Sequence, residues 1–282
     1  HINGMEGPYT MILIDGIPII SALSTVYGLN GIPNSLFDRI EVVKGPASSL
    51  YGTEAMGGII NIITKDASKA DHFNADIYTT SWLENNIDIA YKLKLNDKID
   101  ALLGVNYFLF DNKQDKNNDN YTDVTLQNRI SVFNKWNFKR PENKVASIAA
   151  RYVYEDRWGG EMDYNKRTDR GSNTVYGESV FTNRAEIIGM YQIPTKEKIF
   201  TQISYNFHQQ NSFYGTNSYQ AKQHVAFAQS YWDKTIGKHS LLTGATFKYT
   251  FYDDNTPGTL SNEGKNQPMY TPLPGIFIQD EI

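Results

Sequence analysis

The sequence predicts a mainly β protein: a Gly-rich α+β segment over residues 1–66, then long antiparallel strands over 71–282 that belong to a barrel crossing an outer membrane. Three observations carry this. From Asp71 onward apolar and polar residues alternate with period two over runs of ten residues or more, longer than the roughly 5–6 of an ordinary strand. The links between these runs alternate short and long. The chain is polar on average, with mean hydropathy −0.49, yet 13% aromatic. A transmembrane barrel reads this way because each strand shows one face to lipid and the other to a polar lumen.

The first segment mixes short apolar runs, MILIDGIPII, RIEVVKG and GGIINIITK, with a helical turn expected at NSLF after Pro33. MILIDGIPII is broken by Asp15, Gly16 and Pro18, and no stretch reaches the roughly 18 apolar residues of a membrane helix. The second segment divides into strands near 71–81, 86–95, 98–110, 124–139, 144–157, 180–194, 197–211, 219–235 and 238–252, with a tenth starting at about 274. Ile87, Ile89, Tyr91, Leu93 and Leu95 alternate with Asp88, Ala90, Lys92, Lys94 and Asn96; Ile199, Thr201, Ile203, Tyr205 and Phe207 alternate with Gln202, Ser204, Asn206 and His208. A soluble barrel or sandwich would bury the apolar face, but Lys92, Lys94, Asn106, Arg129, Lys135, Gln202 and Asn206 on the other face call for water or a polar plug. Tight turns are expected at Asn96-Asp97, 140–143, Thr195-Lys196 and Gly237-Lys238, and longer links at 111–123, 158–179, 212–218 and 253–273. The chain has no start Met, no leader and a strand-like end at Ile282, and so reads as an internal piece of a longer protein.

Composition also narrows function. With no cysteine there is no disulfide scaffold, thiolate zinc site or cysteine nucleophile. A net charge of −4 gives no footprint for nucleic acid. Neither a G-x-S-x-G elbow nor an HExxH helix is present, so no enzyme is expected.

ILIDGIPI followed by FDRIEVVKGPASSLYGTEAMGGIINIITK closely resembles the plug domain of TonB-dependent outer-membrane receptors. The resemblance implies that 1–66 is the C-terminal part of a plug and 71–282 the first strands of a 22-stranded, plugged barrel, here incomplete. It also implies energised uptake of a scarce, bulky ligand across the bacterial outer membrane. Cobalamin or haem is the favoured ligand, with ferric siderophores as the alternative and a passive porin as the reading from another class. The implied partners are TonB, through a box outside this chain, membrane lipid and a surface lipoprotein. Arg39, Glu41 and Lys44 are read as lying on one strand face, anchoring the plug.

Ligand contacts in this family come from plug apices and outer loops. By position the apices are the loops 3–9 and 21–30, which gives Met5, Glu6, Tyr9, Ser24 and Tyr27 as candidates; Asn3-Gly4 stands where many members have Arg-Gly. The link 157–178 combines rings with cations, adding Arg157, Trp158, Tyr164 and Arg170 for a planar or anionic chelate. In DKNNDNYTD, Asp115, Asn117, Asp119 and Asp123 occupy positions 1, 3, 5 and 9 of a calcium loop, with the Tyr121 carbonyl at 7. Position 12 is Leu126, so the bidentate Glu is missing and any calcium site is weak. The alternative is a solvated polar loop. No required cofactor is expected beyond that ion, and the five histidines show no ligand spacing.

Overall fold

A computed structural model describes residues 4, 9–19, 32–45, 51 and 55–282. Within these residues the first segment forms a small sheet of β1 (Thr10–Ile14), β2 (Ile17–Pro18), β3 (Phe37–Lys44) and β4 (Gly58–Thr64), in the order β2-β1-β4-β3. β1 runs parallel to β4, and β3 antiparallel to it. The β1–β2 hairpin turns at Asp15 and Gly16, both left-handed at φ 52° and 75°. Glycine enters that region freely and Asp more readily than most residues. The helical turn expected at NSLF is a single 3-10 turn, Asn34–Leu36. No α-helix occurs among the described residues.

The second segment forms one ten-stranded antiparallel sheet in sequence order. Its strands are β5 (Phe73–Thr79), β6 (Asn85–Asn96), β7 (Ile99–Phe110), β8 (Leu126–Phe138), β9 (Ala146–Gly160), β10 (Gly177–Gln192), β11 (Lys198–Tyr214), β12 (Asn217–Ile236), β13 (His239–Asp254) and β14 (Met269–Glu281). The sheet is open, with β5 and β14 at its edges. Two boundaries differ from the sequence reading. β14 starts at Met269, not near 274. The expected long link at 212–218 is instead a two-residue turn: Tyr214 pairs with Asn217, and Gly215 supplies the positive φ of 59°. Ser212 is a fully buried strand residue.

Burial in this sheet runs opposite to that of a soluble protein. Asp88, Asn106, Arg129, Lys135, Gln202 and Asn206 are buried, whereas Ile89, Tyr91, Ile130, Ile187, Ile203 and Phe247 are exposed. The polar face is therefore the concave one and the apolar face the outer one. Asn134, which falls on the apolar side, is satisfied by donating to the Leu102 carbonyl at 2.9 Å.

The small sheet packs against the inner face. Ile14, Ile17, Ile32, Leu36 and Ile62 form one apolar cluster with Ala90, Leu102, Phe133, Ala149 and Ile188. Fully burying an aliphatic side chain such as Leu36 contributes about 1.5–3 kcal/mol. Gly104 makes room for it: a Cβ there would stand 2.4 Å from Leu36 Cδ1 and 3.0 Å from Pro33 Cγ. The expected anchoring face on β3 is corrected here. Arg39 bonds Glu41 and Asp38 on its own strand, with Arg39 and Asp38 exposed and Glu41 half-buried, and Lys44, an odd number of residues beyond Glu41, has the opposite parity.

Candidate functional site

The links at the long-loop end fold into a layer tied by backbone bonds. Met162 N donates to the Asn120 carbonyl at 2.8 Å, and Lys113 Nζ donates to the carbonyls of Met162 and Tyr164 at 2.5 and 2.8 Å. Phe110, Leu126, Trp158 and Tyr164 pack into an apolar node beneath it.

This node decides the fate of the candidates in 157–178. Trp158 and Tyr164 are buried in it, and burial pushes the Tyr164 phenol pKa up. Lys166 Nζ lies 3.2 Å from the Trp158 ring centroid and pairs with Asp156 at 2.6 Å. Arg170 sits between the rings of Phe181 and Phe213, 4.5 Å from each centroid, and bonds Ser179 Oγ and Asn211 at 2.7–2.8 Å. Cation–π contacts of this kind hold a loop in place. Arg157 pairs with Glu155 at 2.5 Å. All four thus serve the scaffold in this structure.

Other rings reach solvent. Tyr121 and Tyr176 pair with centroids 6.3 Å apart, and with Tyr214 they are exposed. Tyr176 donates to Glu178 at 2.7 Å, which raises its phenol pKa. Glu161, Thr174, Tyr176, Tyr214, Thr216 and Asn217 line a groove of about 340 Å³. Tyr214 closes β11 beside the turn at Gly215 and is brought to Tyr176 by the pairing of β10 with β11, which has no local signal in the sequence. Tyr9 is exposed on the small sheet; Met5, Glu6, Ser24 and Tyr27 lie outside the described residues.

The calcium donors are used within their own loop. Asp119 N and Asn120 N donate to the two carboxylate oxygens of Asp115 at 3.2 and 3.1 Å, Tyr121 N to Asp119 at 2.8 Å, and Lys116 N to Asp123 at 2.7 Å. Asn117 Nδ2 donates to Asp119 at 2.9 Å. Among the described residues no three acidic or histidine side chains gather closely enough to hold a metal ion. The cluster expected from the spacing is not assembled, because local Asx turns occupy the carboxylates. Amide exchange at 119–121 is accordingly expected to be equal in EDTA and in millimolar calcium. Slowing by calcium would mean that the loop refolds around the ion.

Below the loops the concave face carries a buried charge ladder. Asn106 Nδ2 donates to Asn86 and Asp88 at 2.9 and 2.7 Å, and its carbonyl oxygen accepts from Arg129 at 3.2–3.3 Å. Glu155 stands 3.8 Å from Arg129, while Glu186 binds Arg184 and lies 3.4 Å from Arg151.

The ladder ends at an ion pair that links the two sheets. Lys135 Nζ, on β8, meets Asp15 Oδ2 at 2.8 Å and donates to Thr64 Oγ1 at 2.6 Å. Asp15 in turn accepts from Thr64 N and Oγ1, both at 2.8 Å. Alternation alone puts Lys135 on the polar face; its partner, 120 residues away, has no local signal. Ser204 adds a bond to the Pro18 carbonyl at 2.9 Å.

Residues 1–59 match the family model of the TonB-dependent receptor plug domain. The match identifies the first segment as a TonB-dependent receptor plug domain. The ferric enterobactin receptor of Pseudomonas aeruginosa is 41% identical over 88 residues, 28% of this chain and 12% of that protein. The ferrienterobactin receptor of Escherichia coli is 41% identical over 87 residues, 27% and 12% of the two chains. The vitamin B12 transporter BtuB of Vibrio cholerae is 44% identical over 68 residues, 24% and 11%. Over nearly the whole chain the fold matches a crystal structure of the P. aeruginosa ferric enterobactin receptor, with TM-score 0.71 and 17% identity, covering 98% of this chain and 48% of that one. The chain therefore spans about half the length of that receptor. Members of this family are transport receptors, and the mainly β fold expected from the sequence is the one found.

Proposed function

We propose that this chain is the C-terminal part of the plug (1–66) and the leading barrel strands (71–282) of an outer-membrane receptor that takes up a ferric siderophore under the drive of TonB. The observation that carries this is the plug match together with relatives that are ferric enterobactin receptors. This replaces cobalamin or haem, favoured on sequence alone, by what was then the alternative. The oxygens of the calcium-like loop accept from amides of that same loop and so lend cobalamin no support.

Membrane placement is supported by the outer face. Exposed Ile130, Ile187 and Ile203 occupy the strands between two levels of rings. Near the short turns stand Phe138, Tyr191 and Trp232; towards the long loops Phe207, His224, Phe251 and Tyr270 form a contiguous row with centroids 5.1–5.4 Å apart. An apolar band between aromatic girdles is how barrels sit in bilayers. The long loops then face outward, and the tyrosines around the 340 Å³ groove offer flat faces and hydroxyls to planar aromatic chelating groups.

Binding to the complete receptor in detergent tests the reading. Ferric enterobactin is expected to bind at least ten-fold more tightly than cyanocobalamin or haemin, and Tyr176→Ala with Tyr214→Ala to weaken it. Tighter binding of cyanocobalamin or haemin would return the assignment to the earlier choice.

A further inference from the structure

The outer face carries a second feature, near the short turns. Gly189 on β10 is flanked in register by Ile148 on β9 and Ile203 on β11. A residue without a side chain between two branched ones leaves a notch. It widens into a groove of about 480 Å³, lined chiefly by Phe138, Arg140, Ile148, Gly189, Tyr191 and Ile203. Its volume is that of a small-molecule site, and its walls are almost wholly apolar.

Arg140 stands at the mouth. Nη1 donates to the carbonyls of Gln192 and Val145 at 2.6 and 3.2 Å, and Nη2 donates to the Tyr191 hydroxyl at 3.0 Å. The guanidinium lies 4.1 Å from the Tyr191 ring centroid. A guanidinium has about five N–H donors, so among the described residues Nε–H and one Nη2 proton have no acceptor. The group is thus held rigidly with hydrogen-bonding capacity left over. Lys139 and Lys144 flank it, each with an acidic partner, Asp100 and Glu142, and Lys196 and Lys198 lie at the adjoining turn. This rim is rich in cations.

We propose that the groove is a binding site for one anionic glycerophospholipid of the periplasmic leaflet, its acyl chain lying over Gly189 and its phosphate taken by Arg140. The proposal rests on the membrane placement above, which puts short turns on the periplasmic side. The two halves of the site fit the two halves of such a lipid: an apolar slot for the chain and a fixed fork for the phosphate. An aromatic residue at the join, Tyr191, sits where rings prefer to be, at the level of the headgroups. A soluble anion would use the arginine and ignore the slot. A zwitterionic lipid would use the slot with less charge attraction at the rim.

Native mass spectrometry of the complete receptor, delipidated and then titrated with dioleoylphosphatidylglycerol or dioleoylphosphatidylcholine, tests this. One phosphatidylglycerol is expected to be retained in preference to phosphatidylcholine. Arg140→Gln should lower that retention roughly ten-fold, as the loss of a charge-assisted bond would. Gly189→Leu, which fills the slot, should remove tight binding of both lipids, and Arg140→Gln carries the test if the glycine variant does not fold. Equal retention of the two lipids by wild type, or unchanged retention in Arg140→Gln, overturns the proposal. Failure of the wild-type receptor to insert into vesicles at all would instead overturn the membrane placement.

Discussion

Lys135→Met is expected to loosen the seating of the plug sheet by about 3 kcal/mol. The methionine keeps the length and apolar stem of the lysine, so packing changes little. What changes is charge: Asp15 loses its ammonium partner while its carboxylate stays 19% exposed. Stranding one member of a buried pair costs about 3–5 kcal/mol, and the residual water around Asp15 places this case at the lower end. The double variant Lys135→Met/Asp15→Asn removes the stranded charge and is expected to recover most of the loss. Amide exchange across β1 and β4 measures it, since Asp15 directly follows β1 and accepts from Thr64 N at the end of β4. If single and double variants exchange at the wild-type rate, the link does not hold the plug. Because the link joins the two sheets directly, a pull on the plug that moves β1 must break or carry it, and the single variant should lower the force needed.

Much of the fold was readable because alternation is a local signal. Ile87 to Leu95 and Ile199 to Phe207 gave both strand position and phase, and the structure puts Asp88, Gln202 and Asn206 on the buried concave face as their parity requires. What alternation does not carry is a partner distant in sequence. Trp158 and Tyr164 in a polar link look like ligand contacts until Phe110 and Leu126, tens of residues upstream, cover them. Arg170 looks available until Phe181 and Phe213 enclose it. The Asp/Asn spacing at 115–123 fits calcium and Asx turns equally, and only coordinates tell which oxygens the amides have taken. At 212–218 the polar letters Ser212, Thr216, Asn217 and Ser218 read as a link because a lumen face is as polar as a loop. Gly215 was the one cue to a tight turn.

Ile187→Lys is expected to destabilise the complete barrel by roughly 2–4 kcal/mol in a bilayer, the cost of a lysine near the midplane of the lipid face. Ile187 sits in the middle stretch of β10, opposite Ala150 and Tyr205, and is 45% exposed. In water such exposure would make the substitution cost little, since the lysine ammonium could stay hydrated. The sign of the effect therefore reports the solvent that face meets. A lumen control is needed, and Asn206, the natural choice from alternation alone, is a poor one: it is 4% exposed and donates to Glu186 at 3.2 Å. Thr250, half-buried on the concave face of β13 opposite Val225, is better, and Thr250→Lys should cost little. Reversible unfolding in lipid vesicles measures both. Equal losses in the two variants would mean that the outer face of β10 does not meet hydrocarbon. A large loss at Thr250 with none at Ile187 would reverse the inside and outside of the sheet. In detergent-free water the ordering should vanish, because the penalty for the Ile187 lysine arises only where its ammonium has to leave water.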